Sequence, residues 1–177
     1  EPMKCGTEEF EVHLPEELIA AELEPNRVEL PQRTPAEHIR WALDHPVDSA
    51  PLKELVKAGD KVCIVISDVT RRWQSPETYI PVLIAELESA GIRDEDMLII
   101  SATGTHRRQT PEEHMGLVTK EVYERIELVD HVCTDEENLS YVGTTSRGTP
   151  VWLDKRALAC DKIILTGGVV YHFMAGF

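Results

Sequence analysis

The sequence predicts an α/β fold built on a doubly wound, mostly parallel sheet with helices on both faces. Two observations carry that prediction. From Thr34 onward, apolar runs of strand length alternate with segments that start and stop as helices do. One of these runs, KVCIVIS over 61–67, is almost continuously apolar and rich in Val and Ile, the pattern of a central parallel strand covered on both sides. At 177 residues and 42% hydrophobic, the chain is large enough for one domain with its own core. It is read as a single α/β domain over 1–177.

The elements follow in order. The first ~30 residues are short pieces punctuated by proline. Glu1-Pro2, ahead of Met3, reads as an appended remnant. Phe10, Val12 and Leu14 alternate with polar residues and predict a strand, and LEPNRVELP predicts a turn with another extended piece. TPAEHIRWALDH opens a helix with Thr34 as N-cap, Pro35 at the first helical position and Glu37 closing a capping box. PLKELVKAG predicts a short helix ended by Gly59. The strand at 61–67 leads to SPETYIPVLIAELESAG, a helix capped by Ser75, begun at Pro76 and stopped at Gly91. Pro81 falls early in it, where it is tolerated or kinks the helix. DMLIIS (96–101) is the next strand, and TPEEHMG starts a helix through Thr110 and Glu113. IELVD (126–130) is a strand. YVGTTSRGTPVWLD predicts two strands around a turn near Ser146-Arg147-Gly148. DKRALAC gives one or two helical turns, and DKIILTGG (161–168) the last strand.

Charge and composition exclude several classes of function. Eighteen basic side chains against 32 acidic ones leave a net charge of −14, which repels nucleic acid and anionic lipid. No apolar run approaches the ~20 residues needed to span a bilayer, and EPMKCGTEEF lacks the pattern of a secretory signal. Cys5, Cys63, Cys133 and Cys160 show no CxxC spacing. They are read as reduced thiols packed as small hydrophobes, in keeping with the cytoplasm.

Ligands of doubly wound sheets bind beyond the carboxyl ends of the strands. Three segments lie there: SDVTRRW (67–73), ATGTHRRQT (102–110) and TGGVVYHFMAGF (166–177). They gather Asp68, Thr70, Arg71, Arg72, His106, Arg107, Arg108 and His172. Four of the chain's eleven arginines sit in the first two, which in so acidic a protein points to an anion site. Arg71 is the stronger candidate; Arg72 and Arg108 fall where neighbours alternate between ligand and solvent. Gly104, Gly167, Gly168 and Gly176 permit sharp turns or close approach to a ligand. No Walker or dinucleotide fingerprint is present. Each residue alone has a plainer reading: Asp68 as a turn cap, the arginines as solvated charges, His172 as packed among Tyr171, Phe173 and Met174. His13, His38, His45, His114 and His131 lack any matching context and are read as structural or exposed. The case for a site is the convergence of three loops. A histidine exchanges protons near neutral pH. Two of them on opposite sides of one carbon, with an arginine holding a carboxylate between, would make a racemase or epimerase of small carboxylic acids.

Together, SDVTRRW, ATGTHRRQTPEE and TGGVVYHFMAGF resemble the signature segments of the nickel-dependent lactate racemase family, and ALDHPVDSAPLKELVKAGDKVCIVISDVTR is similar to that family's N-terminal domain. The resemblance implies a Rossmann-like N-terminal domain of a two-domain enzyme. It implies a nickel pincer nucleotide as cofactor, a pyridinium mononucleotide whose two thiocarboxylate groups bind nickel. It implies a small 2-hydroxy acid as substrate and proton-coupled hydride transfer as the reaction. By motif, His106 and His172 are the two acid/base residues. Asp68, Val69, Thr70 and Arg71 match the loop that contacts cofactor and substrate, with Thr70 and nearby amides on the nucleotide's phosphate. The anion inferred from the arginines is then cofactor phosphate, substrate carboxylate or both.

The chain departs from the family pattern at Arg72 and Tyr171, where proline is common. The family's cofactor-attaching lysine and nickel-ligating histidine fall beyond Phe177, so no residue within 1–177 is assigned to nickel. The expected partner is a C-terminal domain of the same polypeptide, and 1–177 alone is expected to be inactive. A rival reading is a phosphate- or nucleotide-binding module without catalysis. An ordinary metal hydrolase is weaker, for want of HExxH-like spacing.

Overall fold

The computed structural model describes residues 2–22, 29, 31–170 and 172. The chain divides into two compact units, Glu1–Gln32 and Arg33–Phe177. In the first, β1 (Pro2–Cys5) and β2 (Glu8–Glu11) form an antiparallel hairpin. Gly6 turns it at φ 64°. The strand expected through Leu14 ends at Glu11; Phe10 and Leu14 are exposed, so no buried face prolongs the alternation. Pro2 pairs with Glu11 in this hairpin. Most of LEPNRVELP lies outside the described residues.

The second unit holds the α/β layers. α1 (Pro35–Asp44) starts at the full Thr34/Glu37 capping box. α2 is only Leu52–Leu55, shorter than the sequence predicts. Val56 turns extended to reach the core, and the Asp60 carboxylate accepts from the Lys57 amide to build the turn before the sheet. β3 (Val62–Ser67), β4 (Met97–Ala102), β5 (Glu127–Asp130) and β8 (Lys162–Leu165) form one fully parallel sheet in the order β5-β4-β3-β8. α3 (Pro76–Ser89) joins β3 to β4 and runs through Pro81. Ser75 stands at its N-cap with φ 52°, but its side chain makes no capping bond. α4 (Pro111–Val118) has the expected Thr110/Glu113 capping box. α5 (Lys120–Arg125), started by the Thr119 hydroxyl, was not expected from the sequence. β6 (Leu139–Thr144) and β7 (Pro150–Asp154) make a separate hairpin, followed by α6 (Lys155–Leu158).

Alternation along the strands decides the core. Val62, Ile64, Ile66, Met97 and Ile99 face α3, α4 and α5, where Ile80, Ile84, Leu87, Leu117 and Val122 close over them. At about 25 cal/mol per Å² of apolar surface removed from water, this layer is the main source of stability. The other face carries Val65, Ile100, Ile163 and Leu165, which look onto α6 and β7 across a cavity of about 440 Å³. Cys63 is buried and Cys160 half-buried, as expected, whereas Cys5 and Cys133 are exposed. Burial pushes the Cys63 thiol up to about 12.

Candidate active site

Parallel pairing brings the strand ends to one edge. Ser67 lies opposite Ala102, and Val65 opposite Leu165, so the turns after β3, β4 and β8 leave side by side. The chain crosses to opposite sides of β3 to reach β4 and β8, which makes β3 the point where the strand order reverses. The third turn is tied to the first. The Thr166 amide and hydroxyl both donate to the Val65 carbonyl, and Tyr79 bonds the same hydroxyl. Gly168 comes so close to Trp73 and Gln74 that a Cβ there would lie 3.0 Å from the Trp73 ring. Gly104 uses its own freedom differently, turning the chain after β4 at φ 60°.

The turn after β3 is a stretch of 3-10 helix, residues 69–74, capped by Asp68. Asp68 is 4% exposed. Its Oδ1 accepts from the Thr70 amide and hydroxyl, at 3.1 and 2.5 Å. Its Oδ2 lies 2.5 Å from Nδ1 of His106. Burial pushes this carboxyl up, but the bonds from Thr70 and His106 outweigh it and hold Asp68 below the ordinary carboxylate range. A carboxylate only accepts, so the shared proton sits on Nδ1 of His106. In the neutral ring Nε2 is then the basic atom, on a side chain half open to solvent.

Asp68, Thr70, Arg71, Gly104, Thr105 and His106 line one cavity of about 330 Å³. The amides of Val69, Thr70 and Arg71 all donate within the protein, to Gln109, Asp68 and the Asp68 carbonyl. Among the described residues, the amides of Gly104 and Thr105 have no protein acceptor and stand on the cavity wall. The donors open to an anion here include these two amides, the hydroxyls of Ser67 and Thr105, and the Arg71 guanidinium, which among the described residues bonds its neighbour Thr70. That set fits a phosphate or a carboxylate. Two of the other motif arginines are engaged elsewhere, and Arg108 is exposed. Arg107 makes a two-pronged pair with Glu113 at 2.8 and 2.7 Å. The Arg72 guanidinium rests against Gly116 of α4. His172 is an exposed residue of the third turn; Tyr171 and 173–177 lie outside the described residues. Among the described residues no three His, Cys, Asp or Glu side chains gather as a metal site.

Sequence reasoning missed the residue that joins the turns, Gln109. Its carboxamide bonds the Val69 amide, the Ser101 hydroxyl and Asp130. The polar side chain between Arg108 and Thr110 carried no signal of its own. His114 and His131, read as structural, are paired with Asp130 at 2.8 Å and Asp154 at 3.2 Å.

The profile of the lactate racemase N-terminal domain matches residues 5–177 of this chain. The chain belongs to that family. Lactate racemase of Lactiplantibacillus plantarum is 33% identical over 141 residues, covering 80% of this chain and 33% of that protein. Lactate racemase of Thermoanaerobacterium thermosaccharolyticum is 29% identical over 139 residues, covering 78% and 32%. The lactate racemase apoprotein structure from T. thermosaccharolyticum superposes with a TM-score of 0.79 at 26% identity, over 97% of this chain and 39% of that one. The chain thus spans about a third of the length of the curated relatives it matches. For this member of the lactate racemase family, homology and the four-stranded parallel sheet flanked by helices agree on the fold.

Proposed function

We propose that this chain supplies the acid/base machinery of a nickel-dependent racemase or epimerase of 2-hydroxy acids, with lactate the first substrate to test. One observation carries the reading: the Asp68–His106 pair lines the same cavity as Arg71 and two open amides, at the strand ends of a lactate racemase-type domain. Asp68 holds Nδ1–H, which leaves Nε2 of His106 to take the substrate's hydroxyl proton and return it. Arg71 grips the carboxylate by two parallel bonds and keeps the reacting carbon in reach. His172 does for the opposite face of the carbon what His106 does for the first.

The nickel pincer nucleotide, when bound, supplies the hydride acceptor. Asp68 and Thr70 would shape the wall beside it, with Val69 holding their turn in place through Gln109, and its phosphate would suit the Gly104 and Thr105 amides or Arg71. The cofactor's attachment and nickel ligation fall to a C-terminal domain of the same polypeptide, so 1–177 alone is inactive. The reducing cytoplasm suits the free thiols.

The test is His106→Gln in the full-length protein carrying its nucleotide. Turnover falls roughly 10²–10⁴-fold, the usual contribution of a general acid–base, while nucleotide and nickel content stay at the wild-type level. The open amides beside Arg71 equally favour a phosphate- or nucleotide-binding module without catalysis. Loss of nucleotide binding in His106→Gln would support that second reading.

A further inference from the structure

We propose that Gln109 is a positioning residue: its carboxamide clasps the turn after β4 onto the turn after β3 and so fixes the Asp68–His106 pair. Gln109 sits three residues beyond His106 on the same turn. Its Oε1 accepts from the Val69 amide at 2.7 Å, one residue beyond Asp68. Its Nε2 donates to the Ser101 hydroxyl at 2.7 Å and to Asp130 Oδ1 at 2.8 Å. Its own amide donates to Asp130 Oδ2 at 2.7 Å. All of the carboxamide's bonds therefore run to other elements: the turn after β3, the end of β4 and the end of β5.

The anchor is rigid. The Asp130 side chain is 5% exposed and also pairs with His114 of α4, itself 11% exposed. Burial pushes the Asp130 carboxyl up, but the Gln109 and His114 bonds outweigh it and keep it below its ordinary value. Asp130 is thus a fixed acceptor, set in the sheet, from which Gln109 reaches to Val69. The two turns meet at two points only a few residues apart, Gln109 on Val69 and His106 on Asp68. Both bonds are partly buried, and the His106 side chain is half open to solvent. Water competes for the bond at His106, and the clasp limits the motions by which Nδ1 and the carboxylate separate. That the pair so held is the acid/base pair of a racemase rests on the function proposed above; the clasp itself does not.

The test is nuclear magnetic resonance on the chain 1–177, with no cofactor or substrate. In imidazole ¹H–¹⁵N spectra the Nδ1 proton of His106, held on Asp68, gives a slowly exchanging signal. Gln109→Met keeps the length of the side chain and removes every bond it makes. The clasp predicts that this proton exchanges roughly tenfold faster or more, as for a bond that opens that much more often, while amide signals of α3 and β3 stay in place. An unchanged His106 signal in the folded variant overturns the proposal. If Gln109→Met does not fold, Gln109→Leu replaces it, a shorter apolar side chain that likewise makes none of the carboxamide's bonds. Faster exchange at His106 again supports the clasp, and an unchanged rate overturns it. These readings hold whether or not the full-length protein racemises anything.

Discussion

Asp68 and His106 stand 38 positions apart in sequence and meet because β3 and β4 are parallel neighbours in register. The sequence shows both residues at strand ends, so the candidates were legible. Their pairing was not, because it depends on which side chains a turn directs inward. The same limit applies to the arginines. Four equal charges appear in the two motifs, and only the fold reveals that Glu113 takes Arg107 and that Arg71 lines the cavity. If Arg71 grips a carboxylate with a planar fork, a lysine cannot replace it. Arg71→Lys should then raise KM for the 2-hydroxy acid about tenfold or more, since a charged hydrogen bond contributes about 1.5–3 kcal/mol; steady-state kinetics on the full-length protein would check this. Asp154 offers a prediction on stability. Burial pushes it up, but Arg156 and His131 outweigh that and hold it at about 2, against an ordinary 3.8. A carboxyl depressed by folding stabilises above its ordinary value and loses that contribution as pH falls through its folded value. The loss, about 2 kcal/mol, runs from near pH 4 to near pH 2. Asp154→Asn should lower stability at neutral pH and flatten this part of the acid branch in urea titrations. An acid slope equal to wild type would contradict the assignment.

Helix starts were the most legible elements, because the chemistry that begins a helix is local. Thr34-Pro35 with Glu37 and Thr110-Pro111 with Glu113 form complete capping boxes where the spacing predicts them. The second box also borders the site, since Glu113 both caps α4 and pairs with Arg107. Thr110→Ala should cost about 1 kcal/mol, read as a lower urea midpoint with an unchanged m-value. No change would mean that tertiary contacts alone set the start of α4. Elements governed by distant contacts were read less well. α2 stops early because Val56 is drawn into the core. α5 begins within a stretch whose polar residues hide the single buried face at Val122. Ser75 has the identity and place of a cap, yet its left-handed backbone leaves its side chain without a capping bond.

For the molecule as a whole, the strand order places three turns at one edge and so decides where chemistry can occur. A chain of net charge −14 nevertheless leaves Arg71 and two open amides in its strand-end cavity, an arrangement suited to a small anion. No helix among the described residues is long and apolar enough to cross a membrane. The alternation of strands and helices was legible because the two buried central strands are written as apolar runs, VCIVIS and MLIISA. The unequal cover of the two sheet faces was not, since uniformly apolar strands do not say what lies above them. The central claim is that the Asp68–His106 pair performs proton transfer in a 2-hydroxy acid racemase. The most direct measurement is the chiral composition of lactate after incubating a single enantiomer with the full-length protein, nucleotide and nickel content verified, beside its His106→Gln variant. The account predicts interconversion by the wild type and a loss of roughly 10²–10⁴-fold in the variant at equal nucleotide content. Interconversion by the variant at the wild-type rate would contradict it.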